Sequence, residues 1–415
     1  MGTRSLKVQW VQLVVLSGVH FLVDMFGNML PAILPAIRVE YGISLLVGGS
    51  IPIFLSLAAN SVQVLTGHLR PDKSAPFFLH IGMILAAGVC VIALAPKSLM
   101  GVALLFALGI VSGSGVAVAH PEGLRAVHTL DRISPGLSTA VFMTTGFLGF
   151  ATGGVISAGL VASYGLKGLY PLVLCPALGV LAVVLSRVRL AVEGERRTTR
   201  DAEPGTDEET ASSCSLPFWK VLLIGLPAGL SSTVVLQLLP TYLNEMGFSL
   251  TFGGLSTAMF GWGSAVGPYL WAALAHKKGD LPCSVWAFVL SAPFMVLYLM
   301  FAGRPHAAWL LFGVGFSSMS AYILTISLAR NARGLNLGHR MAIIVGGTWG
   351  IAMILYLGLA AMADWIGIGP VLKLTPAGYL ISGALAFQVM RQHPGAVRRV
   401  RPSPAVDLQG GPPVQ

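Results

Sequence analysis

Asp24 stands out among the residues that could do chemistry, because it lies in the middle of an apolar run over 8–36. The other 15 of the chain's 16 carboxylates fall in loops, in tails or at the ends of such runs. If the run crosses a membrane, a carboxylate at this depth is costly and is typical of an ion or proton pathway. We therefore predict that Asp24 exchanges a proton. The alternative is a structural Asp24 that hydrogen-bonds to a neighbouring helix.

Two polar residues flank Asp24 at helical spacing. His20 lies four residues before it and Asn28 four residues after it, so a helix aligns the three on one face. We predict that this face lines a cavity, that His20 takes part in proton coupling and that Asn28 contacts the substrate.

A second group of polar residues closes the apolar run at 99–121. Its proline and glycine predict that the helix breaks while still close to the membrane, which is tolerated only inside protein or against a water-filled cavity. The break would bring together an acid, a base and a titratable ring. We predict proton coupling for Glu122 and substrate contact for His120 and Arg125. A gating ion pair, or simply the start of a loop, is the alternative. The segment reads His120-Pro121-Glu122-Gly123-Leu124-Arg125.

The composition shows what must position these residues. Of 415 residues, 55% are hydrophobic and only 10% are charged, and the mean hydropathy is +0.78. A soluble protein carries about 25% charged residues to cover its surface. Soluble, disordered, fibrous and disulfide-scaffold classes are therefore excluded, and the sequence predicts an all-α polytopic membrane protein.

Twelve apolar runs are long enough to span a bilayer, which takes about 20 residues. The first is too long for a signal peptide and is expected to remain as a helix. The runs are 8–36, 44–67, 75–95, 99–121, 135–163, 168–186, 217–241, 249–274, 282–301, 306–328, 340–363 and 371–390.

Basic residues predict the orientation. With the N-terminus inside, 21 of the 26 Lys and Arg residues fall on the inner side of these runs. The positive-inside rule then places both termini in the cytoplasm of a multi-pass protein of the cytoplasmic membrane. The formal net charge of +10 is in part this topology signal, so no nucleic-acid partner is expected.

An internal repeat divides the chain into two halves. Leu34-Pro35 with Glu40 and Gly42 recurs as Leu239-Pro240 with Glu245 and Gly247, at an offset that also relates Arg125 to Arg330. We predict a six-helix bundle over 1–186, a charged cytoplasmic linker over 187–216, a second six-helix bundle over 217–391 and a disordered cytoplasmic tail over 392–415. In transporters built from such repeats, the substrate site lies between the halves.

Other side chains within the second half could line that cavity, although each could equally be a packed or interfacial residue. They are Gln237, Trp262, Tyr322 and Trp349. No enzyme motif is present, the four cysteines lack metal-ligand spacing, and we predict neither a metal nor a cofactor.

Two signatures support a resemblance to the major facilitator superfamily across residues 6–391. Gly67-His68-Leu69-Arg70-Pro71-Asp72-Lys73 resembles, in degenerate form, the signature of the loop between the second and third helices. Gly149-Phe150-Ala151-Thr152-Gly153-Gly154 keeps the glycines of the antiporter signature and lacks its proline. The resemblance implies gating roles for Arg70 and Asp72, and we assign the same role to Arg330.

A closer resemblance is to the fosmidomycin-resistance family of exporters. It rests on the segments His20-Phe21-Leu22-Val23-Asp24 and Leu30-Pro31-Ala32-Ile33-Leu34-Pro35 and on the His120–Arg125 segment. The resemblance implies drug/proton antiport across the cytoplasmic membrane, with a small polar or anionic substrate such as a phosphonate antibiotic.

The leading hypothesis is thus a monomeric, proton-coupled secondary transporter that exports a small solute by alternating access. A proton symporter or facilitator for uptake of an organic anion would use the same residues. A membrane sensor or scaffold with a transporter-like body is the alternative from another class, and it would be expected to carry a partner domain.

Overall fold

The computed structural model describes residues 5–66, 73–191, 216–335 and 337–394, and within these ranges helices dominate. Ten helical segments are long and apolar enough to cross a membrane. The two remaining predicted spans, 249–274 and 371–390, coincide with less apolar helices of 29 and 18 residues. The all-helical membrane fold is confirmed, and the count of twelve crossing helices stays a prediction.

The described residues of the first half form seven α-helices. Short 3₁₀ segments at Ala87–Leu94 and Leu166–Val173 extend the fourth and precede the seventh. The helices are α1 (Leu6–Gly27), α2 (Leu30–Tyr41), α3 (Leu45–Thr66), α4 (Phe77–Ala86), α5 (Leu99–Val127), α6 (Pro135–Tyr164) and α7 (Leu174–Leu185).

In the second half, eight α-helices lie within the ranges that the structure describes. A π-helical turn at Ile343–Gly347 joins the fifth and sixth of them, and a 3₁₀ turn at Pro305–Ala307 precedes the fourth. They are α8 (Phe218–Glu245), α9 (Leu250–Lys278), α10 (Asp280–Phe301), α11 (Ala308–Arg330), α12 (Leu337–Ala342), α13 (Thr348–Ile366), α14 (Ile368–Leu372) and α15 (Thr375–Gln392).

The repeat predicted from sequence is visible as the same turn in both halves. Gly42 after α2 and Gly247 after α8 have φ angles of 62° and 87°, a left-handed conformation that glycine adopts without steric cost. At both turns the next residue's N–H bonds back to the carbonyl five residues earlier, at 3.2 and 3.0 Å. The hydroxyls of Ser44 and Ser249 then each accept an N–H bond, at 3.2 Å, at the start of the following helix. The predicted internal repeat is therefore visible in the structure, and the count of six spanning helices in each half stays a prediction.

One apolar core lies in the first half, and a second comprises the second half together with Leu34, Leu45 and Ile53 of the first. The halves meet chiefly along three helix pairs. These pairs are α2 with α8, α3 with α13 and α6 with α9. Small residues permit the close approach: a Cβ at Gly254 would lie 2.5 Å from the carbonyl oxygen of Gly154 in the other half. The helix α6 thus contacts the second half along one of its faces.

Polar contacts join the two halves at the end of the bundle that carries Arg38, hereafter the Arg38 end. Arg38 lies 3.4 Å from the Glu245 carboxylate. The Asp364 carboxylate at the end of α13 accepts the N–H groups of Leu45 and Leu46 at 2.9 and 2.7 Å. A carboxylate stabilises a helix N-terminus by satisfying its free N–H groups and opposing its dipole. Asp364 of one half therefore caps α3 of the other.

The expected break at His120–Arg125 is wrong, because α5 continues through Pro121 and Gly123 to Val127. Neighbouring helices make a proline tolerable inside a membrane helix. Gly123 serves packing instead of breaking the helix: a Cβ there would lie 2.9 Å from Cζ of Phe142 on α6.

The first span is interrupted, whereas the sequence predicted a continuous helix. α1 ends at Gly27, Asn28 caps it with φ −119°, and α2 begins at Leu30. Pro31 lacks the N–H group that a continuous helix would bond to the Gly27 carbonyl, which explains the interruption.

The linker residues 192–215, Arg70, Asp72 and the tail from 395 lie outside the described residues. The predicted domain boundaries and the sidedness of the termini therefore stay predictions.

Replacing Asp364 by alanine is expected to loosen the Arg38 end, because α3 loses its cap from the other half. Loss of a cap costs about 1 kcal/mol, a roughly fivefold change in an equilibrium. Lys97 and Arg304 are exposed and lie in different halves. Double electron–electron resonance between spin labels at these two positions should show a larger population of long distances in Asp364→Ala than in the parent. Asp280→Ala is the matched control, since Asp280 accepts from Ser327 within one half. An unchanged distance distribution in Asp364→Ala would contradict the assigned role.

Candidate functional site

Three titratable side chains from two helices meet inside the first half. Asp24 of α1 lies between His20, one turn earlier on the same helix, and His120 of α5. Its Oδ2 is 3.3 Å from His20 Nε2, and its Oδ1 is 3.0 Å from His120 Nε2. We call these three residues the triad.

The triad is largely buried. The His20 side chain is only 4% exposed, whereas those of Asp24 and His120 are 20% and 21% exposed. A buried carboxylate is tolerated when it is paired. The Asp24 carboxylate is therefore stabilised by the two histidine side chains and is not fully enclosed by protein.

Backbone carbonyls orient both imidazole rings. Nδ1 of His20 lies 2.7 Å from the carbonyl oxygen of Phe142, and Nδ1 of His120 lies 2.8 Å from that of Val116. A carbonyl oxygen only accepts hydrogen bonds, so each Nδ1 carries the hydrogen. Each Nε2 is consequently the atom that faces Asp24.

This orientation forces the triad to hold a cation. A neutral ring with its hydrogen on Nδ1 presents a lone pair at Nε2, and an ionised carboxylate presents only acceptors. Without a proton between them, acceptors would face one another at 3.0 and 3.3 Å in a low-dielectric environment. At least one proton, or another cation, is needed to stabilise the arrangement.

The helix α6 forms the wall against which the triad packs. The Phe142 ring stacks on His20 with centroids 4.1 Å apart and an interplanar angle of 16°. One turn on, Gly146 has no room for a side chain, because a Cβ there would overlap the His20 ring and lie 2.6 Å from Asp24 Oδ2. Both histidine rings also border a small cavity, lined further by Val19, Val23, Leu79, Ala119, Gly123 and Phe142.

Glu122 and Arg125 make their hydrogen bonds away from the triad. Glu122 is buried on α5, and its Oε2 accepts the Leu79 N–H at 2.9 Å near the start of α4. Arg125 Nη2 donates to the carbonyls of Lys73 and Ala191 at 2.9 and 2.8 Å. Glu122 thus caps α4. Arg125 links by hydrogen bonds the segment before α4 and the segment after α7.

Asn28 does not extend the polar face of α1, because the helix ends there. Its Nδ2 donates to the Phe150 carbonyl on α6 at 2.8 Å. The predicted stripe of three residues is therefore two residues long, and His120 takes the third place from another helix.

In the second half, the structure brings two of the predicted substrate residues together. Tyr322 of α11 and Trp349 of α13 are in edge-to-face contact with ring centroids 5.4 Å apart. The Tyr322 hydroxyl donates to the carbonyls of Ile344 and Val345 at 3.1 and 3.2 Å, within the π-helical turn. Asn60 of the first half faces this turn, since a Cβ at Gly346 would lie 3.9 Å from its Oδ1. The turn therefore lies at the boundary between the halves.

The remaining predicted residues are dispersed. Gln237 is buried on α8, and its Oε1 has no hydrogen-bond donor among the described residues. Trp262 packs on the core of the second half. Arg330 ends α11, where its carbonyl accepts from Arg340 at 2.9 Å.

Sequence reasoning missed Phe142, Gly146 and Asp364. The glycines of α6 were noted only as a degenerate signature, although their spacing of three to four residues is the pattern of a closely packed helix face. Gly146, Gly149 and Gly153 all lie against α1, where added Cβ atoms would meet side-chain or backbone atoms.

The matching family model decides the classification. The model described as "Major Facilitator Superfamily" matches residues 16–355. The chain belongs to the major facilitator superfamily. It is therefore a membrane transporter of small-molecule substrates rather than an enzyme, as the sequence predicted.

Two curated proteins are similar over most of their length. An uncharacterized MFS-type transporter, YfnC of Bacillus subtilis (strain 168), is 24% identical over 385 residues, covering 90% of this chain and 91% of that protein. The fosmidomycin resistance protein of Escherichia coli (strain K12) is 25% identical over 364 residues, covering 86% of this chain and 87% of that protein.

Solved transporters have the same fold. A peptide transporter POT in complex with sulfate has a TM-score of 0.69 at 13% identity, with 92% of this chain and 95% of that chain covered. A bacterial homolog of the human lysosomal transporter Spinster, inward-facing and unoccupied, has a TM-score of 0.67 at 13% identity, with 96% and 100% covered.

Replacing Gly146 by alanine is expected to disrupt the triad, because the new methyl group would overlap the His20 ring. Overpacking of this kind costs about 1–3 kcal/mol, and we expect pH-driven transport to fall at least about tenfold in protein that still folds. Flux in liposomes and thermal unfolding measure the two effects. Gly159→Ala, on the same helix with open space around it, should behave like the parent. Equal flux in both variants would contradict the steric role of Gly146.

Proposed function

We propose that this chain is a proton-coupled secondary transporter that exports a small polar or anionic solute by alternating access. The observation that carries the proposal is the triad, in which the acceptor atoms of His20, Asp24 and His120 face one another and need a proton. Its partial exposure to solvent allows the proton to be taken up and released.

The helix α6 provides a physical route from the proton to the rest of the protein. On one side, Phe142 and Gly146 pack directly against the triad. On the other side, α6 contacts α9 of the second half, where the Tyr269 hydroxyl meets Thr144. A change in the charge of the triad therefore acts on a helix that is packed between both halves. Such a shared element, biased by the proton, is what coupling of the two halves requires.

The substrate is proposed to bind between the halves, near the π-helical turn at Ile343–Gly347. Tyr322 and Trp349 offer an aromatic surface, and Asn60 lies opposite them on the first half. Short π segments in helices are frequent at functional sites. Gln237 on α8 is a separate candidate, because its buried amide oxygen can accept a hydrogen bond from a donor on a polar substrate.

Export is favoured by the similarity to the Escherichia coli fosmidomycin resistance protein. The cytoplasmic membrane, cytoplasmic termini and a monomeric state follow from the sequence reasoning and complete the proposal. In this frame Glu122, two residues after His120 on α5, is the next proton station toward the cytoplasm. Arg125 and Arg330 belong to the gate at that side rather than to the substrate site, with Arg70 and Asp72 as their expected companions.

Replacing Asp24 by asparagine is expected to abolish pH-driven transport, while the protein still folds and inserts. The amide keeps the shape of the carboxylate but does not exchange the proton. The loss of transport is measured as uptake into inside-out vesicles under an imposed pH gradient. The solute is a phosphonate such as fosmidomycin, or an anion that raises the melting temperature of the purified protein.

Glu40→Gln is the matched control, because Glu40 pairs with Lys97 at the Arg38 end, 2.6 Å away, outside the triad. It should retain parental flux. Undiminished proton-driven transport in Asp24→Asn would refute the assignment of Asp24 as proton carrier.

A further inference from the structure

We propose that His20, Asp24 and His120 bind one divalent transition-metal ion of the Zn²⁺ class, and that the bound ion blocks transport. The binding does not depend on the proposed function, whereas the block rests on it.

The donor set suits such an ion. Two imidazole nitrogens and one carboxylate oxygen are ligands that Zn²⁺ takes in proteins, and imidazole also suits Cu²⁺ and Ni²⁺. By contrast, Mg²⁺ and Ca²⁺ prefer sites made of oxygen ligands. The chemistry of the triad therefore selects the borderline metals over the abundant hard cations.

The spacing of the donors is close to what the metal needs. Tetrahedral Zn²⁺ with ligands at about 2.0–2.1 Å holds neighbouring ligand atoms about 3.3 Å apart. The two histidine–carboxylate distances, which run to different oxygens of Asp24, are 3.3 and 3.0 Å, and the three ligand atoms of the triad lie within 4.8 Å of one another.

The hydrogen bonds that the two Nδ1 atoms make to backbone carbonyls are the independent observation that points to a metal. A metal-binding histidine usually donates its other ring N–H to a carbonyl or carboxylate, which fixes the tautomer and aims the free nitrogen at the ion. Both rings of the triad do so, through the carbonyls of Phe142 and Val116 at 2.7 and 2.8 Å. Both free Nε2 atoms converge on the Asp24 carboxylate.

The electrostatics of the triad favours such an ion. The facing acceptors need a cation, and a bound metal ion takes the lone pairs of both Nε2 atoms beside an ionised carboxylate. The Asp24 and His120 side chains are 20% and 21% exposed, so the triad is not fully enclosed by protein.

The bound ion is expected to lock the first half. Its ligands come from α1 and α5, so it ties these helices together. It also holds the triad in one charge state, so the proton cycle stops.

The experiment titrates purified protein, prepared with an affinity tag free of histidine, with ZnSO₄ and determines bound metal after equilibrium dialysis. Co²⁺ serves as a spectroscopic probe of the coordination. We expect one Zn²⁺ per chain and tetrahedral Co²⁺ absorption. Asp24→Asn, His120→Ala and His120→Gln should each weaken binding at least about tenfold, with unchanged gel-filtration behaviour and melting temperature without metal. His306→Ala removes an exposed histidine distant in sequence and should bind like the parent.

Absence of saturable Zn²⁺ binding, or equal affinity in the triad variants and the parent, overturns the proposal. A transport assay separates it from the proposed function. If the parent binds Zn²⁺, the triad variants do not, and the parent shows no proton-driven flux, the metal site is upheld and the proton coupling is refuted. Proton-driven flux that persists when the triad is saturated with Zn²⁺ would overturn the block.

Discussion

The organisation of this transporter depends on two hydrogen bonds that the rings of His20 and His120 donate to backbone carbonyls. Phe142 and Val116 each fix a histidine ring by its Nδ1–H, so that both Nε2 atoms face the Asp24 carboxylate. A cluster of acceptors inside a membrane protein is stable only with a cation among them. Proton occupancy, the tight packing of Gly146 and the affinity for a metal all follow from this one arrangement.

The fold supplies the precision that the triad needs. α1 and α5 carry the titratable groups, and α6 closes on them without side chains at Gly146, Gly149 and Gly153. Because α6 also lies against α9, a change of charge in the first half acts directly on the interface with the second. The Asp364 cap and the Arg38–Glu245 pair join the halves at one end. In the proposed alternating access, these polar contacts would break and reform as the two halves move.

The fold was predictable from sequence because apolar runs, basic residues and the repeat each constrain it independently. Asp24 was recognisable because a lone carboxylate in the middle of an apolar run has few structural explanations. His120 was noticed but assigned to the substrate, since nothing in a single sequence reveals that α5 packs its ring against α1. Pro121 and Gly123 suggested a break, yet in a membrane bundle the same residues permit close packing of a continuous helix. Asn28 was placed on the stripe by helical spacing, and the prolines that follow it ended the helix first.

Nitrogen NMR spectroscopy of protein labelled at its histidine rings measures the tautomers of His20 and His120, whose signals are assigned by their loss in single-site variants. Both neutral rings are expected to carry their hydrogen on Nδ1. Only their Nε2 signals should move on titration or in Asp24→Asn. A neutral ring at either position with hydrogen on Nε2 and a bare Nδ1 would contradict this expectation. So would Nε2 signals that do not respond to Asp24→Asn.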